Sequence, residues 1–228
     1  MSMIGFLQPF AEYGGEWAPR MLDAARITAA ISLWGFLVAL GVGALLAALR
    51  ARKHWLPGLL AQGYINLTRG VPLLAVLFLL YFGLPGIGIT MSAFMAGALG
   101  LGLCFGAQMA EVFRAGLEAI HRGQREAALA VGMTPMAAFR LITLPQLIRI
   151  IAPSLVTTFV ALLKDSSLCA LITVHDLMLE GRALATEYFL PMHIFLAIGL
   201  FYFAIAWPLS LAARVLGHRL NRRRAGAA

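Results

Sequence analysis

Lys164-Asp165-Ser166-Ser167 places a cation, an anion and two hydroxyls in succession. The surrounding chain is 61% hydrophobic and 12% charged. An ammonium offers three donors, a carboxylate only acceptors, and a hydroxyl both, so this run can grip a polar solute or neutralise itself. Arg69 and Glu111 also fall in apolar stretches. Ionisable groups at membrane depth are functional candidates by default. A second set suits docking rather than solute chemistry. Gln124, Glu126, Ala127, Ala128 and Gly132, followed by Leu144 and Pro145, form a polar segment between apolar halves. Its small alanines allow another protein to approach the backbone closely. No HExxH, GxSxG or convergent acid pair is present, so no catalytic residue is assigned. Cys104 and Cys169 lie among apolar residues and read as small hydrophobes. No Cys/His cluster has ligand spacing, so no metal or cofactor is expected.

The elements that position these groups follow from composition. A soluble domain carries about 25% charged residues, twice the fraction here. The chain is therefore expected to be an all-α integral membrane protein, with the lipid bilayer as its first partner. The net charge of +8, taken alone, would suit a nucleic-acid partner. The arginines instead cluster in short loops between apolar runs, as cytoplasmic segments do, so no nucleic-acid partner is expected.

Residues 1–23 form a mixed, weakly acidic lead-in without the features of a signal peptide. Phe6, Phe10, Tyr13 and Trp17 suit an external, interfacial segment, and a tail without function is the alternative. The membrane domain is expected over 24–215, with a coupling segment at about 116–145 and a basic tail at 216–228. The first span, Ile27 to Leu49, holds 23 residues without a charge, which is about 34 Å of helix against a core of about 30 Å. It ends in Arg50-Ala51-Arg52-Lys53-His54, which assigns that end to the cytoplasm and the N-terminus to the outside. The second span runs from Pro57 to about Gly83. Arg69-Gly70-Val71-Pro72 either breaks it or marks where the embedded helix begins. Leu84-Pro85-Gly86-Ile87-Gly88 reads as an external turn.

The third span runs from Ser92 to Phe113, with Gly97, Gly100, Gly102 and Gly106 allowing close packing. Five arginines (Arg114, Arg122, Arg125, Arg140 and Arg149) against Glu118 and Glu126 keep the next loop cytoplasmic. Within that loop, Gln124–Val131 is predicted to be helical, with Glu126 in the first turn. Gly132 is expected to end the helix in the left-handed conformation, Thr134 to cap a second helix, and Pro135 to open it. Pro145 is expected to close that helix. In the fourth span, only the fourteen residues Ile150 to Leu163 separate Arg149 from Lys164. That is about 21 Å, short of the bilayer core, so Lys164–Leu168 lies either at membrane depth or in an external loop. A half-buried segment with a short helix follows. The fifth span, Tyr188 to Ala213, carries His193, which reads as a satisfied interfacial histidine. The tail holds Arg214, Arg219 and Arg222–Arg224.

Glu126-Ala127-Ala128, Gly132 four residues on, and Ile142-Thr143-Leu144-Pro145 resemble the EAA signature of binding-protein-dependent ABC importer permeases. Tyr64–Leu74 with its Thr68-Arg69-Gly70-Val71-Pro72 core, Tyr81–Pro85, Ala110–Arg114, Gly123-Gln124, Leu144–Gln146 and Lys164–Leu168 resemble the polar amino acid branch. That branch includes histidine, glutamine, arginine and opine systems. The family often carries threonine where Val71 and Ser166 stand. The resemblance implies five transmembrane helices in the MetI-like permease fold. It also implies alternating access driven by a separate ABC ATPase dimer, a periplasmic or extracellular solute-binding protein, and a second permease subunit, identical or paralogous.

By this resemblance Gln124, Glu126, Ala127, Ala128 and Gly132 shape the coupling helix, and Leu144 and Pro145 anchor its exit. Lys164, Asp165, Ser166 and Ser167, with Arg69 and Glu111, are candidates for the substrate path, and a zwitterionic solute would pair with Lys164 and Asp165. Independently of the resemblance, the only lysines are Lys53 and Lys164. Neither lies in a glycine-rich phosphate loop, so ATP hydrolysis belongs to another subunit if transport is active. A passive channel would leave the coupling segment unexplained, and a membrane enzyme would need a catalytic cluster.

Overall fold

A computed structural model describes residues 3–51 and 56–225, the backbone alone for 3–5 and 218–225. The basic run Arg52-Lys53-His54 lies outside the described residues, as do the side chains of Arg219 and Arg222–Arg224. The regular elements found are all helical: α1 (Met3–Arg50), α2 (Leu56–Gly70), α3 (Leu73–Phe78), α4 (Ala93–Glu118), α5 (Arg122–Ala130), α6 (Pro135–Ala138), α7 (Leu144–Asp165), α8 (Leu177–Tyr188) and α9 (Pro191–Ala225). Four helical stretches are long and apolar enough to cross a bilayer, and five if α2 and α3 form one broken span. The break falls at Val71-Pro72, where Pro72 is extended (φ −61°, ψ 136°) and precedes α3. Proline has no N–H to continue the ladder and disfavours a helical residue before it. Arg69 therefore ends a helix rather than standing inside one.

The lead-in is continuous with the first span. α1 runs for 48 residues, Pro9 and Pro19 included, or about 72 Å at 1.5 Å per residue. The chain divides into two compact units. The first holds residues up to Val38, Val71–Gly102 and Ala161–Trp207. The second holds Ala39–Gly70, Leu103–Val160 and residues from Pro208 on.

In the first unit, Trp17 and Met21 of α1 pack with Leu177 and Leu184 of α8 and Ile194 and Ile198 of α9. Arg20 joins α1 to Glu180 at 2.7 Å and to Glu187 at 2.8 Å. His193 meets the Phe6 carbonyl at 3.1 Å and stacks on the Phe6 ring at 4.7 Å. The aromatic residues of the lead-in thus cover a protein core. Their apolar faces are buried against α8 and α9, which favours one long helix over a separate surface segment. α4 lies close to α1 here: a Cβ at Gly102 would stand 2.3 Å from Val38 Cγ1.

In the second unit, Leu46, Ala61, Ile65, Ala107 and Ala110 form the core. The Tyr64 hydroxyl donates to the Leu103 carbonyl at 3.0 Å, so α2 is fixed to α4. The cytoplasmic ends of α1 and α4 are tied by charge. Glu111 pairs with both Arg50 and Arg114, and Arg114 also reaches Glu118 at 2.7 Å.

Pro145 does not close the helix that begins at Pro135. A π turn over Phe139–Thr143 leads directly into α7, with the Leu144 N–H bonded to the Phe139 carbonyl. Pro145 is then the second residue of α7, where its missing N–H costs little. α8 starts at Leu177, capped by Asp176, whose side chain accepts from the Leu179 N–H at 2.9 Å.

Candidate functional site

α5 is short, and its two ends are built by specific residues. The His121 ring nitrogen Nδ1 accepts the Gly123 N–H at 3.1 Å and caps the helix. The helix begins at Arg122, so Glu126 stands beyond the first turn rather than within it. At the other end, the Gly132 N–H bonds the Leu129 carbonyl at 3.0 Å and the Met133 N–H bonds the Ala128 carbonyl at 3.1 Å. This hydrogen-bond pair with Gly132 at φ +82° is a Schellman closure. Thr134 then accepts the Ala137 N–H at 3.2 Å and caps α6, with Pro135 at its first position.

The chemistry of this turn lies on its surface. Ala128 is buried, while Gln124, Glu126, Ala127 and Gly132 are exposed; Leu144 is half-buried and Pro145 exposed. Val131 is 79% exposed, Leu141 70% and Met136 64%. Arg122 and Arg125 line a cleft of about 460 Å³ beside α5, with His121, Pro135, Phe139 and Thr143. Large apolar side chains exposed in a polar loop mark a candidate surface for another protein.

α2 carries a second polar feature that sequence reading did not single out. Gly58, Ala61 and Ile65 are its buried face. Asn66 and Arg69 are exposed, and Gln62 donates to the Asn66 side chain at 2.8 Å. The spacing 62, 66, 69 is a helical stripe, and that periodicity was available in the sequence. Arg69 pairs with no described carboxylate. Gln108 of α4 is likewise exposed although Ala107, Met109 and Ala110 are buried. Glu111 differs from its neighbours in the candidate set, because its carboxylate is engaged by two arginines.

In the first unit, Lys164 and Asp165 end α7, and both are exposed. They pair neither with each other nor with another described residue. The chain tightens there into a 3-10 helix over Ser166–Ile172. Ser166 is buried and donates to the Leu163 carbonyl at 2.8 Å, so its hydroxyl serves the backbone; Ser167 is half-buried. An unpaired lysine and aspartate at the end of an apolar helix are expensive against lipid, so this surface fits water or protein. Among the described residues no three His, Cys, Asp or Glu side chains are grouped to hold a metal.

Asp176 is the ionisable residue that sequence reading missed. It is fully buried, and burial pushes its carboxyl up to about 6. The only sequence signal was its position as an Asp just before an apolar helix.

Residues 39–226 match the family described as binding-protein-dependent transport system inner membrane component. The chain is 38% identical over 193 residues to the probable amino-acid ABC transporter permease protein PatM of Vibrio harveyi, covering 83% of this chain and 86% of that one. It is 34% identical over 163 residues to the probable glutamine ABC transporter permease protein GlnM of Bacillus subtilis (strain 168), covering 72% and 76%. Its fold superposes on the crystal structure of an amino acid ABC transporter with histidines, with a TM-score of 0.81 at 29% identity over 90% of this chain and 95% of that one. The chain belongs to the MetI-like family of inner-membrane permease components of binding-protein-dependent transport systems.

Proposed function

We propose that this chain is the permease subunit of an ATP-driven importer for a polar amino acid. In this reading an ABC ATPase dimer docks on α5 and the Gly132 turn, and a solute-binding protein delivers the solute from outside. A second permease subunit, identical or related, completes the path, and alternating access moves the solute. The observation that carries the reading is the α5 surface. Its helix is closed at both ends by its own side chains and backbone, yet Val131, Met136 and Leu141 are exposed in a polar loop. Gln124, Glu126, Ala127, Ala128 and Gly132 form the docking turn, and Leu144 and Pro145 carry its motion into α7.

The solute class is supported by the relatives, whose names specify amino acids and glutamine. The opine-like alternative gains nothing from them. Lys164 and Asp165 are the pair best suited to the carboxylate and ammonium of a zwitterion, and Arg69 remains a separate candidate for the path. Ser166 and Ser167 support the backbone turn that presents Lys164 and Asp165. Glu111 acts in this reading by holding Arg50 and Arg114. The arginine distribution supports a cytoplasmic C-terminus and an external N-terminus.

Co-purification from detergent tests the coupling. The intact chain is expected to carry an ATPase subunit that Gly132→Asp, or disruption of Glu126-Ala127-Ala128, releases or uncouples. Retention of full ATP-driven uptake by both variants in proteoliposomes would overturn the docking role. For the solute, Lys164→Met and Asp165→Asn are expected to lower uptake with ATPase association intact. Unchanged uptake in both would remove them from the path.

A further inference from the structure

The segment from Lys164–Asp165 to α8 is anchored both in its middle and at its far end. Cys169 packs so closely on α4 that a Cβ at Gly97 would stand 3.1 Å from its Sγ. The Leu177 N–H is held by the Thr28 hydroxyl at 3.0 Å. Between these anchors stands Thr173, the cap of the 3-10 helix, at φ 66° and ψ 21°. This left-handed conformation crowds Cβ against the backbone and is costly for a β-branched side chain. Ile172 and Val174 are buried on either side, yet Thr173 itself is exposed, so no core wedges its side chain in place.

What meets Thr173 is a single hydroxyl. Tyr81 Oη lies 3.1 Å from Thr173 Oγ1, although the two residues are 92 positions apart. Tyr81 stands in a π turn, Leu79–Gly83, that continues α3. Such turns are rare and occur mostly as single insertions, frequently at functional sites. Left-handed residues other than glycine likewise persist where their surroundings over-determine them. Two irregular turns of the first unit thus meet through one side-chain hydrogen bond. The residue held by that bond ends the 3-10 helix that begins directly after Asp165.

We propose that Tyr81 is a positioning residue: its hydroxyl holds Thr173 in the left-handed conformation, and the turn so fixed sets where the 3-10 helix presents Lys164 and Asp165. This role rests on the reading of that pair as part of the solute path. Tyr81 does not touch the solute. Its hydroxyl acts on a backbone conformation, so a residue that adopts this conformation unaided dispenses with it. Glycine is that residue.

Two readouts on the full chain test this. One is ATP-driven uptake of a radiolabelled mixture of polar L-amino acids into proteoliposomes that also hold the ATPase and the solute-binding protein. The other is deuterium protection at positions 173 and 174, whose N–H groups bond the Ala170 and Cys169 carbonyls. Tyr81→Phe and Thr173→Val each remove one hydroxyl with little change of shape. Both are expected to lower uptake and protection several-fold with ATPase association intact. Thr173→Gly removes the same hydroxyl but is expected to keep both near the parent's values, and adding Tyr81→Phe to it is expected to change neither. Were the contact merely a tether, Thr173→Gly would fail as Thr173→Val does, and the proposal would be overturned. Parent-like protection in Tyr81→Phe would overturn it equally. Lost protection with unchanged uptake would overturn the positioning role alone if Lys164→Met is impaired. If Lys164→Met also transports normally, the solute reading of the pair has failed and takes the positioning role with it.

Discussion

The turns at Gly132 and Thr173 share one backbone design and differ in almost everything around it. At the first, the Gly132 N–H bonds the Leu129 carbonyl and the Met133 N–H the Ala128 carbonyl; at the second, the Thr173 N–H bonds the Ala170 carbonyl and the Val174 N–H the Cys169 carbonyl. Both turns place the residue after the helix in the left-handed region, Gly132 at φ +82° and Thr173 at φ 66°. Gly132 has no atom within 4 Å of where a Cβ would stand. Thr173 follows the buried Cys169, Ala170 and Ile172, and its hydroxyl meets that of Tyr81 at 3.1 Å. A β-branched residue in this conformation is strained and persists where its surroundings dictate it. The second turn is thus held by the buried residues before and after it, while Thr173 itself is exposed. The open turn is held by its own hydrogen bonds, which leaves its apolar surface free.

If the segment after Thr173 is fixed by burial, its ionisation must show in stability. Burial raises the Asp176 carboxyl from 3.8 to about 6. The folded chain therefore keeps a proton that the unfolded chain releases between those values. Stability falls as pH rises through that window and is level on either side. A shift of about two units corresponds to about 3 kcal/mol. The measurable quantity is the melting temperature of the detergent-purified chain against pH, compared with Asp176→Asn. That variant keeps a good helix cap and is expected to flatten the decline relative to the parent. Identical pH profiles for parent and variant would show that Asp176 is not buried.

The second prediction concerns the support beneath the core turn. Thr28→Val keeps the shape of a fully buried residue and leaves the Leu177 N–H without its acceptor. A loss of about 1–3 kcal/mol is expected from that unpaired donor. ATPase association per folded molecule should not change, because Thr28 lies in the first unit and α5 in the second. A thermal melt together with a pull-down separates the two readouts. A coupled loss would break the distinction between the turns.

The same distinction explains what the sequence made legible. The turn at Gly132 is local: a glycine, a capping threonine and a proline at the next position carry nearly all of it, so its conformation followed from residue types. The break before α3 was legible for the same reason, because Pro72 removes a donor whatever surrounds it. What depended on partners distant in sequence was not. Nothing near Phe6, Tyr13 or Trp17 reveals that α8 and α9 lie against them, so the lead-in read as a separate segment. The pairing of Glu111 was hidden because Arg50 is 61 positions away. Pro145 read as a stop because the π turn that absorbs it has no simple residue signature. His121 as the cap of α5 was hidden by the stronger signal of Gln124–Val131, which set the helix start two residues late.

The third prediction tests the open turn through its side chains. Val131→Asp alters a residue that is 79% exposed. Its cost to folding should therefore be small, within about 0.5 kcal/mol. If Val131 enters a partner's groove, association with the ATPase should weaken at least tenfold, about 1.4 kcal/mol. Titration of ATPase subunits onto nanodisc-held permease would measure this, with a melt as control. Unweakened association would place the docking surface away from the C-terminal end of α5.

The smallest expected effect is the sharpest test, because it changes one methyl group. Gly132→Ala meets no steric obstacle, since nothing lies within 4 Å of the added Cβ. The remaining cost is that of holding an L-residue at positive φ, about 1–2 kcal/mol. Gly132→Asn should cost less, because asparagine visits this conformation routinely. The rank order Gly, Asn, Ala in melting temperature would establish that backbone strain alone governs the turn. Transport adds the decisive arm. If uptake follows the same order with a similar modest amplitude, Gly132 matters only as a conformational closure. If uptake in both variants falls well beyond the loss of folded protein, the bare backbone at Gly132 must itself be the contact surface. The empty space around it would then be the place a partner fills, and the open turn would prove braced by the assembly as the turn at Thr173 is braced by its own chain.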